Sequence, residues 1–243
     1  MGRAHEVRSA SMAKTAAIKS KLYGRYGKEI YIAAKSGVPD PDMNLALRAK
    51  IKEAKSNHVP ADVIKRAIDR AKGGDNSNYD EIRYEGFGPN NSTVIVECLT
   101  DNTNRSLTEV RNAFNKSKGC KMASAGAVSF GYQRLGVFEF ESSMGEEEMF
   151  DLLLMEEVDV TDIALDEGYF EIKVNPSDFS KAQELLEANI EGIEFERCEI
   201  AMVADEMVTL TDENDIAGYN KLMNMLNECD DVNKIYTNAI IEE

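Results

Sequence analysis

The stretch from Leu135 to Met202, LGVFEFESSMGEEEMFDLLLMEEVDVTDIALDEGYFEIKVNPSDFSKAQELLEANIEGIEFERCEIAM, decides the fold. Apolar and polar residues alternate over Gly136–Glu141, the period of two that predicts a strand. The spacing turns helical over Glu146–Glu156, alternates again over Val158–Ala164 and Tyr169–Val174, and predicts a second helix over Pro176–Asn189 and a strand over Glu194–Met202. The resulting order β-α-β-β-α-β is the split unit of a ferredoxin-like sandwich.

On the C-terminal side, Thr211-Asp212-Glu213 reads as a helix cap and first turn. A helix over Asp215–Cys229 and a strand over Val232–Thr237 follow. On the N-terminal side, Ile82–Tyr84 and Thr93–Leu99 alternate like strands around the turn Gly86-Phe87-Gly88-Pro89-Asn90-Asn91. Asn104–Ser117 is helical through Leu107, Val110, Ala113 and Phe114, and Ala127–Tyr132 reads as another strand. This middle segment has the order ββαβ and lacks the final helix and strand of a sandwich, which the C-terminal segment supplies. Residues 134–204 are therefore expected to be inserted into a second α+β domain made of 79–133 plus 205–243.

Residues 1–75 read as a basic helical domain. Ala13–Lys35 carries the apolar stripe Ile18, Leu22, Tyr26, Ile30 and Ala33, with Lys14, Lys19, Lys21, Arg25, Lys28 and Lys35 on the other face. Pro39-Asp40-Pro41-Asp42 separates it from a helix with Leu45, Ala49 and Ile51 at helical spacing, running to about Ser56. Pro60 opens a third helix, with Val63, Ile64, Ala67, Ile68 and Ala71 inward and Lys65, Arg66, Arg70 and Lys72 outward. Gly73-Gly74 is expected to supply a left-handed cap. The fold class is thus multidomain α+β: an N-terminal helical bundle plus two ferredoxin-like α+β domains, one inserted in the other.

The 243 residues carry a net charge of −16, but the charge is unevenly spread. It is +8 over residues 1–75, zero over 76–133 and −24 over 134–243. A basic head on an acidic body is the asymmetry expected when one end meets a polyanion and the rest must stay off it; uneven solvated surface charge is the competing reading. The longest run free of Asp, Glu, Lys and Arg, Met122–Gln133, is too short for a membrane span. No signal-peptide pattern follows Met1, and the expected compartment is the cytoplasm.

Catalytic and metal-binding patterns are sparse. Cys98, Cys120, Cys198 and Cys229 are dispersed, with only His5 and His58 as imidazole partners, so neither a zinc site nor a disulfide framework is expected. Asp212-Glu213-Asn214-Asp215-Ile216-Ala217 starts like a calcium loop but has Ala where that loop needs Gly, and a helix cap explains it better. No hydrolase, metalloprotease or nucleotide-cradling signature occurs, so no enzyme activity and no cofactor are expected. The basic helices are the better lead. Lys14, Lys19, Lys21, Arg25 and Lys28, with Arg3 and Arg8 ahead of them, supply the cations that replace counterions on a phosphate backbone. Tyr23, Tyr26 and Tyr31 are interleaved with them, either as bundle core or as stacking platforms for unpaired bases. A smaller basic set, Arg105, Arg111, Lys116, Lys118 and Lys121, surrounds the middle helix. Arg105 there has two readings: a phosphate contact, or an ion pair with Glu109 one turn on.

Four ordered blocks now carry a resemblance. They are Asn57 and Pro60 ahead of Ile64-Lys65-Arg66-Ala67-Ile68 and Lys72-Gly73-Gly74; Tyr84-Glu85-Gly86-Phe87-Gly88-Pro89; Asp101-Asn102-Thr103-Asn104-Arg105-Ser106 with Glu109-Val110-Arg111 and Phe114; and Ala125-Gly126-Ala127-Val128-Ser129-Phe130. Together they resemble the YebC/PmpR family, from about residue 13 to the C-terminus, and Lys28-Glu29-Ile30-Tyr31 with Pro39-Asp40-Pro41 resembles its YeeN-like branch. The resemblance implies three domains and a non-enzymatic, cytoplasmic, DNA-binding transcriptional regulator. Mitochondrial relatives are translational activators of cytochrome c oxidase. Some bacterial members are viewed as ribosome-associated factors that ease synthesis of proline-rich stretches, which makes ribosomal RNA the alternative target. The acidic domains would then face the ribosome or other protein partners. The segment Gly2-Arg3-Ala4-His5-Glu6-Val7-Arg8 departs from the Gly-His-Ser-Lys-Trp-like start of the family. The nucleic-acid contacts expected are Arg3, Arg8, Lys14, Lys19, Lys21, Arg25, Lys28, Lys65, Arg66, Arg70, Lys72, Arg105 and Arg111.

Overall fold

The computed structural model describes residues 16–73 and 79–241, with side chains from residue 21 onward in the first helix. The chain begins with α1 (Ala16–Lys35), α2 (Leu45–Ser56) and α3 (Ala61–Lys72). It continues with β1 (Asp80–Phe87), β2 (Thr93–Thr100), α4 (Thr103–Lys116) and β3 (Lys121–Ala123). Then come β4 (Tyr132–Glu141), α5 (Glu146–Met155), β5 (Val160–Asp166), β6 (Tyr169–Val174), α6 (Phe179–Asn189) and β7 (Phe195–Ala204). Last are β8 (Val208–Leu210), α7 (Glu213–Glu228), β9 (Val232–Thr237) and β10 (Ala239–Ile241). Among the described residues no helix is long and apolar enough to cross a membrane.

These elements form two compact units. The first combines the N-terminal helices with Arg134–Ala201, and the second combines residues 79–133 with 202–241. In the first unit the sheet order β5-β6-β4-β7 is that of the ferredoxin-like sandwich the alternation predicts. Phe138, Phe140, Phe170 and Phe195 point into one core with Met149 and Leu153 of α5 and Ala182 and Leu186 of α6. Phe138 stacks on Phe179 with centroids 4.8 Å apart, a geometry that adds to simple burial. The helices join this sandwich through α2: Asn57 Nδ2 donates to Cys198 O at 3.2 Å and Gln183 Nε2 donates to Ser56 Oγ at 3.0 Å. Asn57, part of the first signature block, is therefore a staple between helix and sheet.

The second unit is a two-layer α+β arrangement with strand order β3-β1-β2-β9, every neighbouring pair antiparallel. The β1–β2 hairpin lies in the centre, α4 returns the chain to β3 beside β1, and α7 leads to β9 beside β2. One face of the sheet carries Val94, Val96 and Cys98 against Val110, Ala113 and Phe114 of α4 and Leu222 and Leu226 of α7. A short parallel pair, β8 with β10, lies outside this sheet and was not legible in the pattern. Asp212 is a helix cap, as its sequence suggests: Oδ1 accepts from Asn214 N at 2.9 Å and Asp215 N at 3.2 Å.

Gly86 sits where β1 passes beneath α4, and a Cβ there would overlap the Phe114 ring and lie 2.9 Å from Lys121 O. Backbone cannot yield as a flexible side chain does. Gly86→Ala is expected to cost about 3 kcal/mol by overpacking, read as a lower urea midpoint at unchanged slope.

Three expectations need correction. Residues 127–131 do not form a strand, and β4 begins only at Tyr132. Ser129–Gly131 is a 3-10 turn, and Gly126, Val128 and Ser129 direct their N–H groups to the Glu85 carboxylate, leaving no ladder to extend. Leu45 does not belong to the buried stripe of α2. It follows the Asn44 cap directly and is 77% exposed, while Leu47 and Ala54 face inward. Gly73 ends α3 at φ −73°, not in the left-handed region, and Gly74 lies outside the described residues.

Candidate nucleic-acid interface

The proposed contacts begin with a core residue. Tyr31 of α1 is buried, and two cations lie over its ring: Lys35 Nζ at 5.5 Å and Arg70 Cζ, from α3, at 4.9 Å from the centroid. The aromatic face attracts both and holds the end of α1 beside the end of α3 as one cationic edge. Gly27 of α1 stands opposite Val63 of α3, where a Cβ would lie 3.9 Å from Val63 Cγ1, an ordinary contact. Lys65 and Lys72 are exposed on α3, Lys21 is exposed on α1, and Lys28 is half-buried. Arg66 is also exposed, but its Nη2 lies 2.7 Å from Asp62 Oδ2, so its charge is partly offset. Both partners are largely in water, and the pair itself contributes little to stability. Of the two readings of the tyrosines, core is the correct one for Tyr26 and Tyr31.

Arg3, Arg8 and Lys14, and the side chain of Lys19, lie outside the described residues. Lys35 falls on the charged face by spacing but is not among the contacts that the sequence predicts. Its separation of four residues from Tyr31 is the signal that finds it.

Arg25 does not belong to the exposed face. Its side chain is only 19% exposed, packed 5.0 Å above the Tyr26 ring and within 3.9 Å of Glu29 Oε1 and 3.8 Å of Glu199 Oε2. The cluster continues inward. Lys50 Nζ lies 3.0 Å from Glu29 Oε2 and 2.6 Å from Glu53 Oε2, and the Tyr26 hydroxyl donates to Glu53 Oε1 at 3.4 Å. Burial disfavours the Lys50 charge, but Glu29 and Glu53 outweigh it and raise its pKa. Burial, then Glu53, pushes the Tyr26 hydroxyl up and keeps it a neutral donor. Arg25→Ala is therefore expected to lower the melting temperature of the first unit rather than leave its fold intact, because Glu29 and Glu199 lose a cation in a low-dielectric site. A melt by circular dichroism checks this.

Arg105 is likewise engaged, though not with Glu109. Its Nε and Nη2 bind Asp231 at 2.9 and 2.7 Å, and Nη2 also binds Asp101 Oδ1 at 2.8 Å. It fixes the start of α4 rather than standing free for phosphate. Arg111 remains exposed on α4. The basic residues therefore divide: the α1–α3 edge presents cations to solvent, whereas Arg25 and Arg105 are structural.

The comparisons with known proteins agree with the architecture. The family model described as the TACO1/YebC protein N-terminal domain matches residues 3–74, and that described as the TACO1/YebC second and third domain matches residues 79–239. A "probable transcriptional regulatory protein" of Acholeplasma laidlawii (strain PG-8A) is 47% identical over 240 residues, covering 99% of this chain and 98% of the relative. One from Pseudoalteromonas translucida (strain TAC 125) is 46% identical over 242 residues, covering 100% of both chains. Among solved structures, a conserved hypothetical protein from Aquifex aeolicus superposes with a TM-score of 0.78 at 32% identity, covering 95% of this chain and 94% of that one. With both family models matched in order across nearly the whole length, the chain belongs to the TACO1/YebC family.

Proposed function

We propose that the protein is a DNA-binding transcriptional regulator that holds phosphates along the α1–α3 edge of its basic helical domain, residues 1–75. The observation that carries this reading is the pair of cations, Lys35 and Arg70, fixed over the buried Tyr31 ring, with Lys21, Lys65 and Lys72 exposed on the same two helices. Cations already ordered by an aromatic lose less freedom on meeting phosphate than free ones do. The acidic segment 134–204, inserted into the domain made of 79–133 plus 205–243, repels nonspecific nucleic acid and leaves the basic edge as the contact. The names of the relatives, as transcriptional regulators, point the same way.

Such binding is dominated by counterion release, so salt dependence is its signature. In fluorescence anisotropy with duplex DNA, Lys21→Ala, Lys65→Ala, Arg70→Ala and Lys72→Ala combined are expected to flatten the log K against log salt slope by about 3–4 units. An unchanged slope in a folded variant would refute the assignment of this edge. A single-stranded or structured RNA that competes better than duplex DNA would reassign the target while keeping the edge.

A further inference from the structure

Helix α5 turns toward solvent a face that its own sandwich does not use. Met149 and Leu153 are buried in the core, but Phe150, Leu154 and Met155 are 44%, 55% and 82% exposed. On the helix Phe150 neighbours Glu147, and Leu154 and Met155 neighbour Asp151; beside them Gly145, Glu147, Glu148, Asp151, Leu152 and Met155 line a shallow groove. Among the described residues no Lys or Arg pairs with Glu146, Glu147, Glu148, Asp151, Glu156 or Glu157.

Folding alone explains only part of this. The three glutamates of the first turn favour the positive end of the helix dipole. At the other end the argument reverses. Glu156 caps the negative end, and Glu157 takes φ 55°, the left-handed position usually given to Gly. The backbone closes there with Glu157 N donating to Leu154 O at 2.9 Å and Val158 N donating to Leu153 O at 3.1 Å. Two carboxylates are thus kept where helix stability opposes both.

We infer that this face of α5 is a docking surface for a cationic amphipathic helix of a partner protein. Lys and Arg of that helix meet the unpaired carboxylates, and its apolar stripe covers Phe150, Leu154 and Met155. Charge complementarity selects the occupant: nucleic acid and anionic lipid are repelled by a segment, residues 146–157, with six carboxylates and no Lys or Arg, whereas a basic helix satisfies both the charge and the apolar area. This surface is independent of the α1–α3 edge and of what that edge binds.

The test uses the full chain and a fluorescein-labelled synthetic amphipathic Leu/Lys helix, followed by anisotropy, with a Leu/Glu helix of the same pattern as control. Saturable binding of the Leu/Lys helix alone is expected. The combined variant Phe150→Ser, Leu154→Ser and Met155→Ser leaves every charge in place and is expected to weaken binding about tenfold or more. A second variant, Glu156→Gln with Glu157→Gly, is expected to raise the melting temperature yet weaken binding, which a folding defect cannot imitate. Equal affinity in the triple serine variant, or equal binding of the Leu/Glu helix, would overturn the proposal. Concentration-dependent dimerisation by light scattering that disappears in the triple serine variant would also overturn it, by making a second copy of the chain the occupant.

Discussion

Asp231→Ala is expected to destabilise the second unit by about 2–3 kcal/mol, because it removes the one carboxylate that ties β2, α4 and β9 together. The Asp231 side chain is 5% exposed. Its Oδ2 accepts from Arg105 Nε at 2.9 Å and Ser106 Oγ at 2.8 Å and lies 2.9 Å from Thr100 Oγ1, while Oδ1 accepts from Arg105 Nη2. Its own carbonyl receives Leu99 N. After truncation, Ser106 and Thr100 lose a buried acceptor, but the 44% exposed Arg105 side chain can return to water, which keeps the cost below that of a sealed pair. Burial alone would raise the Asp231 pKa, yet the hydrogen bonds from Arg105, Ser106 and Thr100 prevail and hold it below the ordinary carboxylate value. A depressed folded pKa gives stability that is present above the unfolded value of about 3.9 and lost as pH falls through the folded one. The gap between native protein and variant in urea midpoint should therefore be full at neutral pH and close below about pH 4. A gap that persists in acid would mean that the carboxylate's charge is not what holds the site.

Much of the architecture was legible because burial imposes a period. β6 has the bounds that alternation predicts, Tyr169–Val174, since it packs one face and buries Phe170, Ile172 and Val174 at every second position; β9 also keeps its predicted bounds, Val232–Thr237, although a register shift opposite Glu97 and Cys98 puts its core residues Val232 and Ile235 three apart. Charged residues obey no such rule. The helical wheel places Arg25 among the cations of α1 and says nothing of Glu199, which comes from a strand far along the chain. For Arg105 local spacing offers either a phosphate or Glu109 one turn on, but its partners are Asp101 and, 126 residues away, Asp231. A polar side chain is satisfied by whatever the fold brings near, so its role is set by tertiary contacts that local spacing does not contain. The same reason defeats the strand reading of residues 127–131: the alternation is there, but a carboxylate from β1 takes the backbone donors of Val128 and Ser129 that a ladder needs.

That carboxylate carries the larger of the two effects. Glu85→Ala is expected to cost about 3–5 kcal/mol, since it leaves three backbone N–H groups without their acceptor. Glu85 is buried on β1; Oε1 accepts from Gly126 N at 2.9 Å, and Oε2 accepts from Val128 N at 2.7 Å and Ser129 N at 3.1 Å. This is an anion held in a concavity of main-chain donors, the strongest environment a carboxylate finds without a cation. Burial pushes the Glu85 pKa up, but the N–H groups of Val128, Gly126 and Ser129 prevail and lower it. Its contribution is thus present above the unfolded value of about 4.3 and lost as pH falls through the depressed folded value. The loop so clamped displays Phe130 at 84% exposure, which makes its mobility easy to follow. In Glu85→Ala, amide hydrogen exchange of residues 124–131 is expected to rise together with a fall in the urea midpoint. Glu85→Gln should recover only part of the loss, because one of its two ends would aim a donor at a donor. Undiminished protection of Val128 in Glu85→Ala would show that the loop holds its shape by packing alone and that the carboxylate is incidental to it.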